Sequence, residues 1–272
     1  MISDLLLVFG VAVLSAGLRT YENPVLFRIG SLGVVATSFL AGWLLGQSVV
    51  MGLVLAASWL FLPWLEILTR VRRLRLPIER ALSPTTPPSR GTFPNFAAVT
   101  SEIEDEGFEY LQDVGWEHDG HRHFYRVFHN SARSMQACIS LSEQDDLAFF
   151  YLSVTSRTGE GRVYTTWNYP FSYGLKLEPH LTIQRFSGHG PFSKMLAAHS
   201  AFLESEKVNR AQLTLQNPEA LVENMEHDMR AQITHNLNIG LLQRDGEKMI
   251  RYTVRGMFYL WFQFLRDFVR IS

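Results

Sequence analysis

Three histidines stand close together in His118-x-x-His121-x-His123, and no other side chains in the sequence are better placed for shared chemistry. Imidazole is the commonest protein ligand for zinc and related divalent metals. Between His118 and His121 lies Asp119-Gly120, a pair favoured in two-residue type I′ turns because both turn positions need positive φ. A hairpin through that turn sets His118 opposite His121 and Trp116 opposite His123, so the three imidazoles project from one face. The sequence therefore offers His118, His121 and His123 as a candidate divalent-metal site, and it offers no other cofactor.

The stretch from Gly115, with His121 six residues on and then His123, resembles the opening of the cupin metal motif. That resemblance implies a metal held by a β-hairpin. The sequence leaves the motif soon after: Val127 and Phe128 stand where a glutamate belongs, and no second motif with a later histidine follows.

Other groupings suggest less. Glu223 and His227 are an i, i+4 pair of the kind found on helix surfaces, with His235 about 80° round the wheel from His227. Gly188-His189-Gly190-Pro191 precedes a helix whose N-terminus has the geometry to hold an anion. It fits neither the P-loop nor the dinucleotide pattern. There is no G-x-S-x-G, H-E-x-x-H or kinase signature, so no catalytic residue is assigned. Arginine and aromatic residues interleave from Arg122 to Phe128, but cross-strand acid pairing and core packing account for them without nucleic acid. A net charge of −1 argues for no nucleic-acid partner either.

The histidine hairpin can be read in register. Strands from Phe108 to His118 and from His121 to His129 pair Glu117 with Arg122, Asp113 with Arg126 and Tyr110 with His129. One face then carries two acid–base pairs, and the other collects Val114, Trp116, Tyr125 and Val127. Further strands are expected at Ser134–Leu141, Leu147–Ser156, Arg162–Asn168 and Leu181–Phe186. Their short connections imply an antiparallel meander of about five to six strands. An amphipathic helix near Asn95–Glu106 precedes the sheet. Helices near Phe192–Glu206 and Pro218–Leu242 follow it, with a short strand near Met249–Val254. Strands followed by helices indicate an α+β domain with helices packed on one face.

What holds this domain in place is the apolar block from Ile29 to Leu68 and the arginines behind it. A helix of that length runs ~60 Å, about twice the ~30 Å hydrocarbon core, so it reads as two spans broken at Gly46-Gln47-Ser48. Ser38, Gly42 and Gly46, and likewise Ser48, Gly52 and Ala56, follow the small-xxx-small spacing of closely packed membrane helices. An apolar run at residues 2–18 lacks the positive start of a signal peptide and reads as a third span. Transmembrane helices are thus expected at about 2–18, 27–46 and 48–68 within a region 1–69. Arg19, Arg28, Arg70, Arg72, Arg73, Arg75 and Arg80 all fall on one side if the N-terminus is outside and the C-terminal region is cytoplasmic, in a cell (inner or plasma) membrane. Glu66 sits four residues before Arg70, at ion-pair spacing, and Pro63 should kink its helix.

Residues 70–92 read as a basic juxtamembrane segment and a Pro/Ser/Thr linker, able to meet anionic lipid headgroups. Residues 93–255 form the cytoplasmic α+β domain. The lone Cys138 allows no internal disulfide, as suits a reducing compartment. Residues 256–272 form an aromatic C-terminal helix flanked or punctuated by Arg255, Arg266 and Arg270. It is suited to lying in the membrane plane, to the domain core or to packing on the hairpin. The pattern leans to a non-catalytic sensor, adaptor or subunit of a membrane complex, with a protein partner or a second copy beside the bilayer. A membrane-anchored metal-dependent enzyme built on the histidine hairpin is the rival reading.

Overall fold

The computed structural model describes residues 2–21, 23–89, 91–144, 147–171, 173–187, 190–214 and 217–270. It begins with three apolar helices: α1 (Ile2–Leu18), α2 (Pro24–Leu40) and α3 (Val49–Glu66). Asn23 caps α2 by accepting from Val25 N at 2.9 Å, with Pro24 at the first helical position. A π-helical turn at Ala41–Leu45 extends α2, and another at Ile67–Val71 extends α3. The break between them falls at the expected place: Gln47 takes φ 49° and Ser48 Oγ caps α3 at Met51 N.

Glycine sets how closely these helices pack. A Cβ on Gly42 would lie 2.7 Å from the Gly52 Cα, and one on Gly52 would lie 2.7 Å from the Phe39 carbonyl oxygen. One on Gly30 would lie 2.7 Å from the Ser15 carbonyl oxygen, where α1 meets α2. Trp59 Nε1 donates to Ser38 Oγ at 2.8 Å, tying α3 to α2. The expected Glu66–Arg70 pair is present at 3.5 Å.

Two helices, Val25–Leu45 and Val49–Val71, are long and apolar enough to cross a bilayer, where the sequence leads one to expect three. The difference is α1, whose 17 residues make about 25 Å of helix, short of a ~30 Å hydrocarbon core.

The stretch expected to be a linker is paired at two points. β1 (Leu76–Pro77) joins β9 (Leu242–Asp245) and β10 (Met249–Tyr252) in a small antiparallel sheet ordered β1-β10-β9. β2 (Ser83–Pro84) becomes the edge of the main sheet, opposite Gly115 and Val114. Sequence periodicity misses these two-residue strands because each is too short to show one.

After α4 (Phe96–Asp105) the main sheet continues through β3 (Glu109–His118), β4 (His121–Asn130), β5 (Met135–Gln144), β6 (Leu147–Arg157), β7 (Val163–Trp167) and β8 (Leu181–Arg185). Its order is sequential from β2 to β8; every pair is antiparallel except β7–β8, which is parallel. Next come α5 (Phe192–Ser205), α6 (Leu221–Asn238) and α7 (Val254–Arg270). The architecture is mixed α+β, with seven α-helices among the described residues.

Alternation along the strands assigns the two faces. Phe128, Ala137, Ile139, Val154 and Tyr164 pack beneath α4 and α5 in the largest core. Phe128, Ile139 and Phe192 are fully buried, each stabilising by about 1.5–3 kcal/mol. The helices do not all lie on one face, as the element order suggests. On the opposite face Val114 and Val127 pack against Leu221 of α6, with Tyr125 and Met225 beside them. A third cluster of Leu175, Ile233, Leu242 and Ile250 joins α6 to the small sheet. α7 leaves that sheet and packs on α2 and α3, where Trp64 meets Phe258 (4.9 Å between ring centroids) and Trp59 meets Phe268 (5.3 Å).

Candidate functional site

The histidine hairpin is present with the expected turn: Asp119 and Gly120 take φ 50° and 74°. His118 faces His121, Trp116 faces His123, and Asp113 faces Arg126. A bulge at Leu111 then shifts the pairing, so that Tyr110 opposes Phe128 rather than His129. Arg126 grips Asp113 with two bonds, Nε to Oδ1 at 2.8 Å and Nη2 to Oδ2 at 2.7 Å. Arg122 stands opposite Glu117 but makes its ion pair with Glu143 on the next strand, at 3.6 Å.

The three imidazoles share a face without forming a ligand cluster. His123 lies flat against Trp116, with ring centroids 4.2 Å apart and planes 14° apart. Burial, the Arg80 guanidinium and His121 together lower its pKa to about 4. Among the described residues no group of three or more His, Cys, Asp and Glu side chains is arranged to hold a metal. His227 is exposed, 3.9 Å from Asp228, and His235 Nε2 is buried without a hydrogen-bond partner. Gly188 and His189, part of the expected anion site, lie outside the described residues. The start of the helix behind them is already capped, since Phe192 N donates to Glu102 Oε2 at 3.0 Å.

His123 and Trp116 are instead one wall of a cavity of about 420 Å³, between one face of the main sheet and α6. Sheet alternation supplies its floor. Gln136, Cys138, Ser140 and Ser142 project from β5, Tyr151, Ser153 and Thr155 from β6, and Thr165 and Trp167 from β7. The roof comes from Tyr173 and from Met225, Asp228 and Met229 of α6. Rings therefore alternate with hydroxyls around a space of the size that small-molecule pockets have.

Several polar atoms in this lining have no hydrogen bond. The Nε atoms of Arg80 and Arg157, Trp116 Nε1 and Gln136 Oε1 are all buried without a partner. The Trp116 indole leans toward the Tyr125 hydroxyl but does not reach full hydrogen-bond geometry. Buried polar groups are hydrogen-bonded as a rule, because leaving one unmade costs about 1–3 kcal/mol. Arg157 is otherwise occupied: its two Nη atoms hold the Asp228 carboxylate. Arg80 lies over the Trp116 ring at 5.0 Å.

The fold fixes Arg80 from both sides. On one side Ile78 N donates to Lys248 O at 2.9 Å, continuing β1, and on the other Leu82 N donates to Glu226 Oε1 of α6 at 2.5 Å. The rest of the lining is electrically quiet. Burial pushes the Tyr125 phenol up to about 12 and the Cys138 thiol up to about 12, so both stay protonated and the thiol is a poor nucleophile.

Comparison of the chain with protein-family models, with curated proteins and with solved structures found no match. The cavity is therefore read from its own chemistry.

Of its lining only His123 stands out in the sequence as a ligand candidate; Trp116 and Tyr125 read as core, Cys138 as a lone thiol and Arg80 as one more juxtamembrane arginine. Its residues come from eight separated segments, and a polar alternate face on a strand ordinarily marks the side turned to water. The available signal is the alternation Gln136, Ser140, Ser142 in β5 and Tyr151, Ser153, Thr155 in β6, beside the Phe149 ring, which is too large for a solvent face.

Proposed function

We propose that this protein is a membrane-anchored sensor or binding subunit whose α+β domain holds a small molecule in the cavity between the main sheet and α6. The observation that carries the reading is the set of buried, unpartnered polar atoms on Arg80, Trp116, Gln136 and Arg157 around one space. Among the described residues no lining hydroxyl or thiol is hydrogen-bonded to a histidine or carboxylate, even though Ser142 stands opposite His123, which favours binding over turnover.

The anchor in this proposal is the α2–α3 hairpin. Apolar side chains such as Val50, Phe61 and Leu65 are 69%, 65% and 65% exposed, a surface suited to lipid and costly in water. Arg70, Arg72, Arg73 and Arg75 follow the second span, which by the positive-inside rule sets the domain on the cytoplasmic side. Of these, Arg72 and Arg73 would also meet anionic headgroups, since Arg70 pairs with Glu66 and Arg75 with Asp245.

Native mass spectrometry of the chain, extracted from its own membrane into nanodiscs, tests this directly. The expected result is a small molecule retained by the wild type and lost when Ser140→Trp fills the cavity. A wild type that retains nothing, or a retained molecule indifferent to Ser140→Trp, would contradict it.

A further inference from the structure

We propose that the ligand is a small organic anion, a carboxylate on an aromatic or aliphatic body, with the carboxylate at Arg80 and the body against Trp116 and Tyr125. This rests on the reading of the cavity as a ligand site and narrows it to one chemical class.

Charge and hydrogen-bonding roles in the cavity both favour an anion. The cavity lining described here holds two guanidinium groups and one carboxylate, Asp228. Asp228 is engaged by Arg157, whose side chain is 17% exposed. No ion pair among the described residues involves Arg80, so the cavity keeps one uncompensated positive charge. The unpartnered atoms point the same way: three N–H donors, on Arg80, Arg157 and Trp116, stand against one acceptor, Gln136 Oε1. A site built mainly of unmet donors and one free cation is complementary to an acceptor-rich anion and repels a cation.

Geometry selects the end at which the anion sits. Arg80 lies over Trp116, and its Nε is buried there without a partner, so at least that donor faces the aromatic wall. Charge-assisted bonds from a guanidinium to a carboxylate are about twice as strong as neutral ones, and arginine presents its donors as a fork that matches two oxygens. Tyr125 and Tyr173 lie near enough to Arg80 to feel its charge, and their hydroxyls remain protonated donors. Beyond them the floor turns to the Tyr151 and Trp167 rings, which suit an apolar body. The neighbouring His123 is partly buried and stacked, and adds no second charge at neutral pH.

A matched pair of compounds tests the proposal on the full 272-residue chain in nanodiscs. 2-Naphthoate and 2-naphthamide have the same shape and differ in charge. Saturation-transfer difference NMR, with empty nanodiscs subtracted, measures both against the wild type, Arg80→Gln and Ser140→Trp. Expected is about tenfold tighter binding of the naphthoate by the wild type, a gap that Arg80→Gln closes to within about twofold. Ser140→Trp should lose both compounds. Equal binding of the two by the wild type overturns the anion assignment while leaving the cavity reading intact. Binding of neither compound, or binding unaffected by Ser140→Trp, overturns both. The wild-type comparison decides the matter even if a variant fails to fold.

Discussion

Trp261 donates its indole N–H to the main-chain carbonyl of Leu60 at 2.6 Å, so the last helix is hydrogen-bonded to the second of the two helices long enough to span a bilayer. The same helix reaches the domain through Tyr259, whose hydroxyl donates to the Leu175 carbonyl at 3.3 Å, next to the Tyr173–Gly174 segment that borders the cavity. α7 thus touches the hairpin on one side and the wall of the binding space on the other.

Trp261→Phe keeps the ring contact with Trp64 and removes the hydrogen bond. The expected loss is about 1 kcal/mol, concentrated where α7 meets α3. Hydrogen exchange should quicken in residues 254–262 and 173–176, while β4 and β5 stay protected. Unchanged exchange in both segments would contradict the link.

Asp113→Ala strands the Arg126 guanidinium, whose side chain is only 16% exposed. Removing one member of a buried ion pair costs about 3–5 kcal/mol. The lower end, about 3 kcal/mol, is expected because Arg126 keeps the Phe96 and Tyr110 rings at 4.3 and 5.1 Å. The shift in denaturant midpoint measures it.

His199 is fully buried in α5, within hydrogen-bonding distance of Ser156 (3.0 Å) and Thr166 (2.9 Å), and burial lowers its pKa to about 4. The unfolded chain binds that proton near the ordinary 6.5, well before the folded one does. Stability is therefore complete above pH 6.5 and falls as the pH drops toward 4, by as much as about 3 kcal/mol. Melting temperatures across that range should show the fall. His199→Gln should remove about half of the combined fall and leave a slope of the same sign from His123, whose pKa is lowered to the same value.

Gly42→Val forces a branched side chain into the Gly52 backbone, whereas Gly10→Val meets nothing within 4 Å. Overpacking of this kind costs about 1–3 kcal/mol. The first variant should lower the melting temperature in nanodiscs and the second should not. Equal effects would mean that the close α2–α3 approach is unimportant.

The parts of the fold that could be read from sequence are those fixed by local chemistry. Asp119-Gly120 set the hairpin register, and it holds from His118 down to Asp113 opposite Arg126. It fails at Leu111 because a bulge adds one residue that no alternation announces. Gly46-Gln47-Ser48 marked the turn between α2 and α3 for a similar reason: a positive φ and a capping hydroxyl are local requirements. The sequence pattern carries α6 to Leu242, but the helix ends at Asn238 and Leu242 begins β9. That strand is stabilised by β10, a partner no helix pattern reveals. The cavity was hidden for the same reason. Arg80 reads as one more basic residue in a juxtamembrane run until β1 and β2 bring it to Trp116, more than thirty positions along the chain.

The Trp261–Leu60 bond joins residues 201 positions apart. Everything needed to build the sheet lies between them, so during synthesis Trp59 and Trp64 emerge and must wait, uncovered by their final neighbours, while the whole domain is made. Closing so long a loop is a late and slow event compared with the local hairpins of the meander. The aromatic face of α3 is in this sense an open seat during biogenesis. Truncation before α7 would leave it open permanently, in a protein whose sheet could still assemble.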